Sequence, residues 1–397
     1  MKKLVKNGRI FTESEDYLAD LLIEDEKIVS IGARLHDADA EIIDAAGCYV
    51  LPGAVDVHTH MDLDVGISRA VDDFYDGTVA ADGIPSVKAY LTYGFKLNDA
   101  DVLQILQKMK EIGGITAFHC ENHDIVEYLK QKHKSEGKTS AVWHAKSRPN
   151  LAEAEAVQRV LKLARMAGDA PVYIVHLSCK ESLEAVREAR RQGQKQIFVE
   201  TCPQYLLLTE ECYTREDGLK YIMSPPLRTK EDCDALWKGL AKGEIQAVAT
   251  DHCPFHYAKE KQMGKDDFTA CPNGAPGVEE RLILLYSEGV AKGRLSMHRL
   301  VETLCTSPSR IYGLYPQKGA LLPGADADLV ILNPDASGVL THSQMHGAVD
   351  YTAYEGMKIQ GEIRLVMQRG NVIAKDGRFT GEKGAGRFIH RTPHKNV

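Results

Sequence analysis

The sequence has no apolar run that approaches the roughly 20 residues needed by a membrane-spanning helix. Its first segment, MKKLVKNGRIF, also lacks the apolar core of a signal peptide. A basic surface is not indicated, because the formal net charge is −7 and the lysines and arginines form no stripe. We therefore expect a soluble, cytoplasmic protein that binds a small-molecule substrate and has no nucleic-acid or membrane partner.

Cysteine pairs of the Cys-x-x-Cys type are also missing, although the chain contains nine cysteines. An odd number of scattered cysteines favours reduced thiols over a disulfide framework or a structural zinc knuckle. The 397 residues, of which 44% are hydrophobic, suffice for one large domain and one smaller one, each with a buried core.

The two ends of the chain share a strand-rich pattern. Residues 1–52 contain short strand-like segments separated by Asn-Gly and Asp-Glu-Lys turns, and residues 315–380 repeat this pattern in GADADLVILNP and GEIRLVMQRGNVIAKDGRF. Neither end has enough strand for a stable sheet of its own. We predict that both ends pair into one small β-sandwich domain, followed by a polar tail over residues 381–397.

The middle of the chain, residues 53–314, alternates short apolar strands with amphipathic helices. The six strand-like segments are AVDVHTH, SVKAYLTYG, GITAFHCEN, PVYIVHLSC, QIFVETCPQY and IQAVATDHC. Helical segments such as DADVLQILQKMKEIG, AEAEAVQRVLKLARMAG and KESLEAVREARRQG lie between them. This alternation predicts an α/β fold with parallel strands, most simply a barrel-like (β/α) domain.

Polar residues interrupt these apolar strands at or near their C-terminal ends. They are His58, His60, Lys88, His119, His176, Glu200 and Asp251. In a (β/α) barrel the C-terminal strand ends open on one face, where catalytic groups collect. Successive side chains of a strand alternate between its faces, so His58 and His60 point to the same side and can both reach one metal ion.

The number of potential ligands exceeds what one metal ion needs. A single catalytic zinc uses about three protein ligands, whereas two ions about 3.5 to 4 Å apart would use four histidines and one aspartate. A free ammonium beside two dications is unfavourable. Lys88 must therefore be neutral, lie elsewhere, or be chemically converted.

The ordered motifs DVHTH, SVKAYLTYG, HCEN, IVHLS, VETCPQYL, SPPLR, ATDHC and CPNGAPGVE resemble those of the cyclic amidohydrolases of the hydantoinase and dihydropyrimidinase group. The resemblance runs from KNGRI to the C-terminal GRF. It implies a TIM-like (β/α) barrel and metal-dependent hydrolysis of the cyclic amide bond of hydantoin or dihydropyrimidine rings, which gives N-carbamoyl amino acids. Within this group, the segments DVGISR, YLTYGFKLND, SPPLR and ATDHCPF resemble bacterial hydantoinases, including those acting on aryl-substituted rings.

The resemblance also implies specific roles for residues of this chain. The metal ligands would be His58, His60 and Asp251 for one ion, His119 and His176 for the other, and Lys88, carbamylated by CO₂, as a bridge between two zinc or manganese ions. Asp251 would also be the general acid and base, and Tyr93 would stabilise the oxyanion. Main-chain groups of Ser224 and Asn273 would hold the ring, and the protein would be a homotetramer.

Each assignment has a structural alternative. His119 and His176 could be core histidines, Lys88 a plain lysine with a buried stem, and Tyr93 a packing aromatic. Ser224 precedes two prolines and could shape a turn. Three further residues receive no direct role in the site. We expect Glu200 to be a structural carboxylate, and His252 and His256 either to support the ligands or to lie at the surface.

The chain departs from the family pattern between His60 and Lys88. Family members carry two further βα units there, whereas residues 61–87 can hold only one helix, DDFYDGTVAA, and a turn. We therefore predict a barrel that is short of two βα units, with the join near Ala81-Asp82.

Two alternative functions remain open at this stage. One is the related allantoinase or dihydroorotase reaction, and the other is a non-catalytic scaffold of the same fold. Scaffold homologues tend to have lost metal ligands, so the complete ligand set of this chain favours an enzyme.

Overall fold

The computed structural model describes residues 1–60 and 85–393. The predicted join near Ala81-Asp82 and the DDFYDGTVAA segment lie outside these described residues. The chain divides into two compact units. Residues 1–57, 279–346 and 354–392 form the first unit, and residues 58–278 with 347–353 form most of the second. The domain boundaries after residues 52, 314 and 380 stay a prediction.

The described residues contain both strands and helices. The strands are β1 (Lys2–Phe11), β2 (Asp16–Glu24), β3 (Lys27–Gly32), β4 (Glu41–Asp44), β5 (Tyr49–Pro52), β6 (Ser86–Tyr90), β7 (Ile115–His119), β8 (Val172–Ile174), β9 (Ile197–Thr201), β10 (Ala247–Val248), β11 (Leu329–Val339), β12 (Lys358–Gln368), β13 (Asn371–Lys375) and β14 (Arg378–Phe379). The α-helices are α1 (Asp99–Glu111), α2 (His123–Ser135), α3 (Val142–Lys146), α4 (Asn150–Met166), α5 (Lys180–Arg191), α6 (Pro203–Leu207), α7 (Lys230–Ala241), α8 (Arg281–Leu285), α9 (Met297–Val301) and α10 (Ser307–Ile311). Shorter 3₁₀ turns span Glu210–Thr214, Gly218–Tyr221, Lys261–Gly264, Phe268–Ala270 and His342–Gln344, and π-helical turns span Tyr286–Val290 and Glu302–Thr306.

The first unit is built on a sheet to which both ends of the chain contribute. The strand order is β14-β13-β12-β11-β5-β1-β2-β3, and β4 pairs with β1. Strand β5 is antiparallel to β11, with Leu51 opposite Val330. Buried side chains from both ends, among them Leu21, Val50 and Leu329, pack into one hydrophobic core. This shared core stabilises the sheet because neither end alone could bury its apolar face.

One of the two predicted turn signals lies inside a strand. Asn7-Gly8 belongs to β1, where the pairing register with β2 shifts between Val5 and Gly8 and Asn7 has φ +62°. A Cβ atom on Gly8 would come within 2.5 Å of Cγ2 of Val50, so close packing requires glycine here. The other signal, Asp25-Glu26, connects β2 to β3 as predicted.

The second unit contains five parallel strands in the order β10-β9-β8-β7-β6. Consecutive strands are neighbours, and helices α1 to α7 occupy the connections between them. The three helices predicted from sequence correspond to α1, α4 and α5. Since all five strands run in one direction, their C-terminal ends lie at the same edge of the sheet.

The AVDVHTH segment differs from its predicted form as a sixth strand. Among the described residues 53–60, regular strand is absent, and only Thr59 forms an isolated parallel bridge, to His252. His58 O accepts a hydrogen bond from Asp251 N at 2.9 Å, and His60 N donates one to His252 O at 2.7 Å. The segment therefore lies against the chain that follows β10, which brings both histidines beside Asp251.

Two predicted absences can be compared with the structure. All nine cysteines lie in the described part of the chain, and every one of them is a free thiol. Within residues 1–60 and 85–393, none of the helices has both the length and the apolar character needed to cross a bilayer.

Candidate active site

The residues predicted to bind metal ions meet at one edge of the five-stranded sheet. Lys88 lies in β6, His119 ends β7, His176 follows β8 and Asp251 follows β10. The register pairs Tyr90 with His119, so β6 and β7 end at the same level. The common direction of parallel strands therefore brings these side chains together.

His58, His60, Lys88 and Asp251 form the first part of the cluster. The Oδ1 atom of Asp251 lies 2.9 Å from Nε2 of His58 and 3.0 Å from Nε2 of His60. The two Nε2 atoms are 3.2 Å apart. Nζ of Lys88 contacts Nε2 of His58 and lies 3.1 Å from Nε2 of His60. All four groups thus converge on one point.

His119 and His176 form the second part. Nδ1 of His119 and Nε2 of His176 are 2.9 Å apart. The ring centroids of His58 and His176 are 5.3 Å apart, which joins the two parts. One ligand atom each from His58, His176 and Asp251 lie within 4.8 Å of one another. The six residues therefore make one continuous cluster of potential ligands.

Two buried carboxylates hold the outer nitrogens of two of these histidines. Oε1 of Glu200 contacts Nδ1 of His58 and accepts a hydrogen bond from His176 N at 3.0 Å. Oε2 of Glu121 accepts one from Nε2 of His119 at 2.7 Å. Such a carboxylate holds the imidazole N–H on the outer nitrogen and leaves the inner nitrogen available as a ligand.

The donor set fits divalent metal ions such as zinc. Imidazole nitrogens that face each other at 2.9 Å (His119 and His176) and 3.2 Å (His58 and His60) repel unless a proton or a cation lies between them. Imidazole nitrogen and carboxylate oxygen are usual zinc ligands. The cluster can therefore hold metal ions through side chains that already point inward.

Electrostatics in the cluster favour an ionised Asp251, a protonated His58 and a neutral His60. Burial opposes ionisation of Asp251, but the charge of His58 and the hydrogen bonds from His58 and His60 hold its pKa well below its usual range. Burial lowers the pKa of Lys88. Burial also lowers the pKa of His60 to about 4, and a positive charge on Lys88 acts in the same direction. Burial and Lys88 also oppose protonation of His58, but the carboxylates of Glu200 and Asp251 raise its pKa to about 9. A metal ion at His58 must therefore displace a proton, which makes metal binding weaker at low pH.

Tyr93 lies in the loop after β6, beside the second part of the cluster. Its ring centroid is 5.4 Å from that of His119. Burial raises the pKa of Tyr93, so the phenol keeps its proton and can act as a hydrogen-bond donor.

Ser224 and Asn273 lie on segments that are joined to each other. Gly274 N donates to Ile222 O at 3.0 Å, and Nζ of Lys261 donates to Ile222 O at 2.7 Å and to Pro272 O at 2.8 Å. Within the described chain, the buried Oδ1 atom of Asn273 has no hydrogen-bond partner. A buried polar atom of this kind is costly, so it can serve a ligand.

Three of these residues adopt a left-handed backbone. The φ angles are +69° for Tyr93, +38° for His176 and +52° for Asp251. This region costs of order 1–3 kcal/mol for residues other than glycine and is concentrated at functional sites. The strained backbone therefore supports the view that these positions are held for function.

Sequence reasoning missed the contacts of three residues. The sequence predicts Glu200 only as a structural carboxylate, and its side chain contacts Nδ1 of His58. Glu121 and Arg148, which contact His119 and each other, carry no prediction from the sequence. A signal for Glu200 was its position in the otherwise apolar strand β9, and Glu121 belongs to the HCEN motif.

The two unassigned histidines have local partners. Nδ1 of His252 accepts a hydrogen bond from Gly277 N at 3.2 Å, and Nδ1 of His256 lies 3.0 Å from Oε2 of Glu260. His252 is buried, and its contacts hold the chain after β10. Both histidines therefore have structural contacts away from the ligand atoms described above.

Comparison with known proteins identifies the family. Residues 49–373 match the Amidohydrolase family. The chain is similar to the D-phenylhydantoinase of Escherichia coli O1:K1 / APEC, with 41% identity over 456 aligned positions that cover 99% of each protein. This alignment is longer than the 397 residues of the chain, so the relative contains residues that have no counterpart here. The position of the shortening between His60 and Lys88 stays a prediction.

Comparison with solved structures also identifies hydantoinases and dihydropyrimidinases. The dihydropyrimidinase from Brevibacillus agri has a TM-score of 0.95 at 34% identity and 100% coverage of both chains. The L-hydantoinase from Arthrobacter aurescens has a TM-score of 0.88 at 30% identity, covering 98% of this chain and 100% of the other. These matches confirm the predicted α/β barrel class, and the possible metal-binding group at His58, His176 and Asp251 suits a metal-dependent family. The chain belongs to the amidohydrolase family.

Proposed function

We propose that this protein is a metal-dependent hydrolase that opens the cyclic amide bond of hydantoin or dihydropyrimidine rings and releases N-carbamoyl amino acids. The observation that carries this proposal is the convergence of His58, His60, His119, His176 and Asp251 at one edge of the parallel sheet. The names of the relatives, D-phenylhydantoinase and dihydropyrimidinase, support the substrate class.

The cluster would hold two divalent ions, zinc or alternatively manganese. The proposed ligands are His58, His60 and Asp251 for one ion and His119 and His176 for the other, with carbamylated Lys88 shared between them. When bound, such ions polarise the substrate carbonyl and make water a stronger nucleophile at neutral pH.

The proposed carbamate on Lys88 resolves the conflict between an ammonium group and two cations. Burial lowers the pKa of Lys88 and so favours the neutral amine, which is the form that adds to CO₂. The nitrogen forms a bond to carbon and loses one proton to solvent, and the product is an anionic carbamate. The Lys88 ammonium, which would repel metal ions, is thereby replaced by an anionic carbamate, which attracts them.

Asp251 would transfer the proton in the reaction. Its carboxylate is ionised at the start because its pKa lies well below the usual range, so it can accept a proton from the attacking water. The same group then delivers that proton to the ring nitrogen as the amide C–N bond breaks. The Asp251 carboxylate thus acts both in the attack by water and in the cleavage of the C–N bond, and it is ionised again at the end.

Tyr93, Ser224 and Asn273 would bind the ring and its developing charge. The Tyr93 hydroxyl would donate a hydrogen bond to the carbonyl oxygen as that oxygen becomes negative. Main-chain groups of Ser224 and Asn273 would hold the ring, since their segments are joined through Ile222 and Lys261. The substrate would thus be bound at its carbonyl oxygen by Tyr93 and at its ring by the main chain of Ser224 and Asn273.

A substrate panel tests the proposal. Zinc-loaded protein, prepared in bicarbonate, is incubated with hydantoin, 5-phenylhydantoin, dihydrouracil, allantoin and dihydroorotate, and N-carbamoyl products are measured by chromatography. We expect ring opening of at least one of the first three. Opening of allantoin or dihydroorotate alone would assign one of those reactions instead, and metal-loaded protein that opens none of the rings would favour a non-catalytic role.

We also propose that the protein is a homotetramer, as the resemblance to hydantoinases implies. Light scattering coupled to size-exclusion chromatography measures the mass of the assembly directly. A mass close to that of one 43.9 kDa chain would contradict this proposal.

A further inference from the structure

We propose that Glu121 is a positioning residue that links a metal ligand, His119, to the substrate-holding residue Ser224. This inference rests on the proposed function, because that function assigns the roles of His119 and Ser224. The link consists of one buried carboxylate oxygen and one buried guanidinium group.

Glu121 is 1% exposed, and three donors meet at its Oε2 atom. Nε2 of His119 donates to it at 2.7 Å, Nη1 of Arg148 donates at 2.8 Å, and the hydroxyl of Ser224 donates as well. Nη1 of Arg148 also lies 2.9 Å from Oγ of Ser224. The hydrogen bonds therefore form a closed triangle in which no member can move alone.

The contact with His119 sets the direction of its ring. Because Nε2 is held by Glu121, Nδ1 is the nitrogen that faces His176, at 2.9 Å. Carboxylate partners of metal-binding histidines typically change metal affinity by 10–100-fold when they are removed. Loss of the Glu121 carboxylate should therefore weaken the metal site without removing any ligand.

The contact with Ser224 holds the part of the site that would bind the substrate ring. Its hydroxyl is engaged by Glu121 and Arg148, and the neighbouring Met223 O accepts a hydrogen bond from Nε2 of buried His144 at 2.7 Å. These contacts hold the main chain at Ser224, which is the part that would bind the ring.

The chain contains a second buried pair that serves as a matched control. Oε2 of Glu153 accepts hydrogen bonds from Nη2 of Arg228 at 2.9 Å and from the hydroxyl of Ser178, as Glu121 does from Arg148 and Ser224. Glu153 is 2% exposed. The hydrogen bonds of Glu153 in the described chain are to Arg228 and Ser178, and neither residue is a proposed ligand.

The test compares Glu121→Gln with Glu153→Gln in the full chain. Zinc binding is measured by equilibrium dialysis against zinc buffered with a chelator, hydrolysis by kcat and KM, and stability by the thermal unfolding midpoint. We expect both variants to lose stability, but only Glu121→Gln to bind zinc about 10–100-fold more weakly and to show a raised KM. Equal zinc affinity and KM in the two variants would reduce Glu121 to a structural residue.

A milder variant, Ser224→Ala, tests the substrate half if Glu121→Gln does not fold. We expect a raised KM and zinc affinity within about twofold of the unmodified protein, and an unchanged KM would refute the link to Ser224. Unmodified protein that binds zinc but opens none of the rings would reject the proposed function, whereas the zinc comparison would still decide the role of Glu121. Unmodified protein that binds no zinc would overturn both.

Discussion

Glu200 and His58 are in contact although 142 positions separate them in the chain. Glu200 lies next to the C-terminal end of strand β9, and its side chain reaches Nδ1 of His58 and the main chain of His176. One carboxylate thus orients a residue from each part of the ligand cluster. The metal centre is therefore organised by groups behind the ligands as much as by the ligands themselves.

Replacing Glu200 by Gln should weaken metal binding. The neutral amide is a poorer acceptor for the His58 N–H, so we expect a 10–100-fold loss of zinc affinity in equilibrium dialysis. Glu260→Gln is the matched control, because Glu260 also pairs with Nδ1 of a histidine, His256, away from the cluster. Equal zinc affinity in both variants would contradict the assignment.

Replacing Asp251 by Asn should abolish hydrolysis. The amide cannot accept and return a proton, and general acid–base catalysis typically contributes 10²–10⁴-fold. We expect kcat to fall by at least about 10²-fold, measured on metal-loaded protein with hydantoin. Asp350→Asn is the control, since Asp350 caps the main chain at Tyr257 and Ala258 instead. Retained activity in Asp251→Asn would remove this residue from the mechanism.

Bicarbonate should increase zinc uptake by the metal-free protein. The Lys88 amine needs CO₂ to become an anionic ligand, so we expect close to two ions per chain with bicarbonate and fewer without it. Lys88→Arg keeps a positive charge but cannot form the carbamate, and its zinc uptake should be low and independent of bicarbonate. Metal analysis together with intact mass measures both effects. If zinc uptake by the unmodified protein is the same with and without bicarbonate, the result argues against a carbamate on Lys88.

The stability of the first unit should depend on pH through Asp326. Its carboxylate accepts hydrogen bonds from Nζ of Lys27 at 2.6 Å and from Gln317 at 3.1 Å, and lies 2.9 Å from Nζ of Lys318, so it ties the two ends of the chain together. Burial opposes ionisation, but these partners lower the pKa of Asp326. A lowered pKa in the folded state stabilises the protein above the unfolded value of about 3.9, and this contribution is lost as pH falls below it.

Asp326→Asn should accordingly cost about 1–3 kcal/mol in the free energy of unfolding at pH 7. The difference from the unmodified protein should shrink as the pH falls below about 4. Urea unfolding at several pH values measures this difference, and Asp376→Asn is an exposed control because Asp376 pairs only loosely with Arg364, at 3.6 Å. A difference that stays constant from pH 7 to pH 3 would show that the ionised form of Asp326 is not what stabilises the fold.

Local sequence patterns predict five strands and three of the helices of the second unit, namely α1, α4 and α5. The periodicity of DADVLQILQKMKE predicts α1, and Asn98 accepts hydrogen bonds from Ala100 N and Asp101 N at its start. The AVDVHTH segment was wrongly predicted as a strand, since its apolar residues fit a buried irregular segment equally well. Periodicity cannot separate these two cases when the segment is short.

The sequence by itself indicated the alternation of strands and helices, the family and a set of candidate ligands, because each of these was inferred from short motifs of neighbouring residues. Only the tertiary structure decided which carboxylate supports which histidine. Glu200 reaches His58, and Glu121 reaches Ser224 across 103 positions, because parallel strands and their loops end side by side. Such contacts depend on which strands are neighbours and where each one ends, and neither property is written in the local pattern of apolar and polar residues.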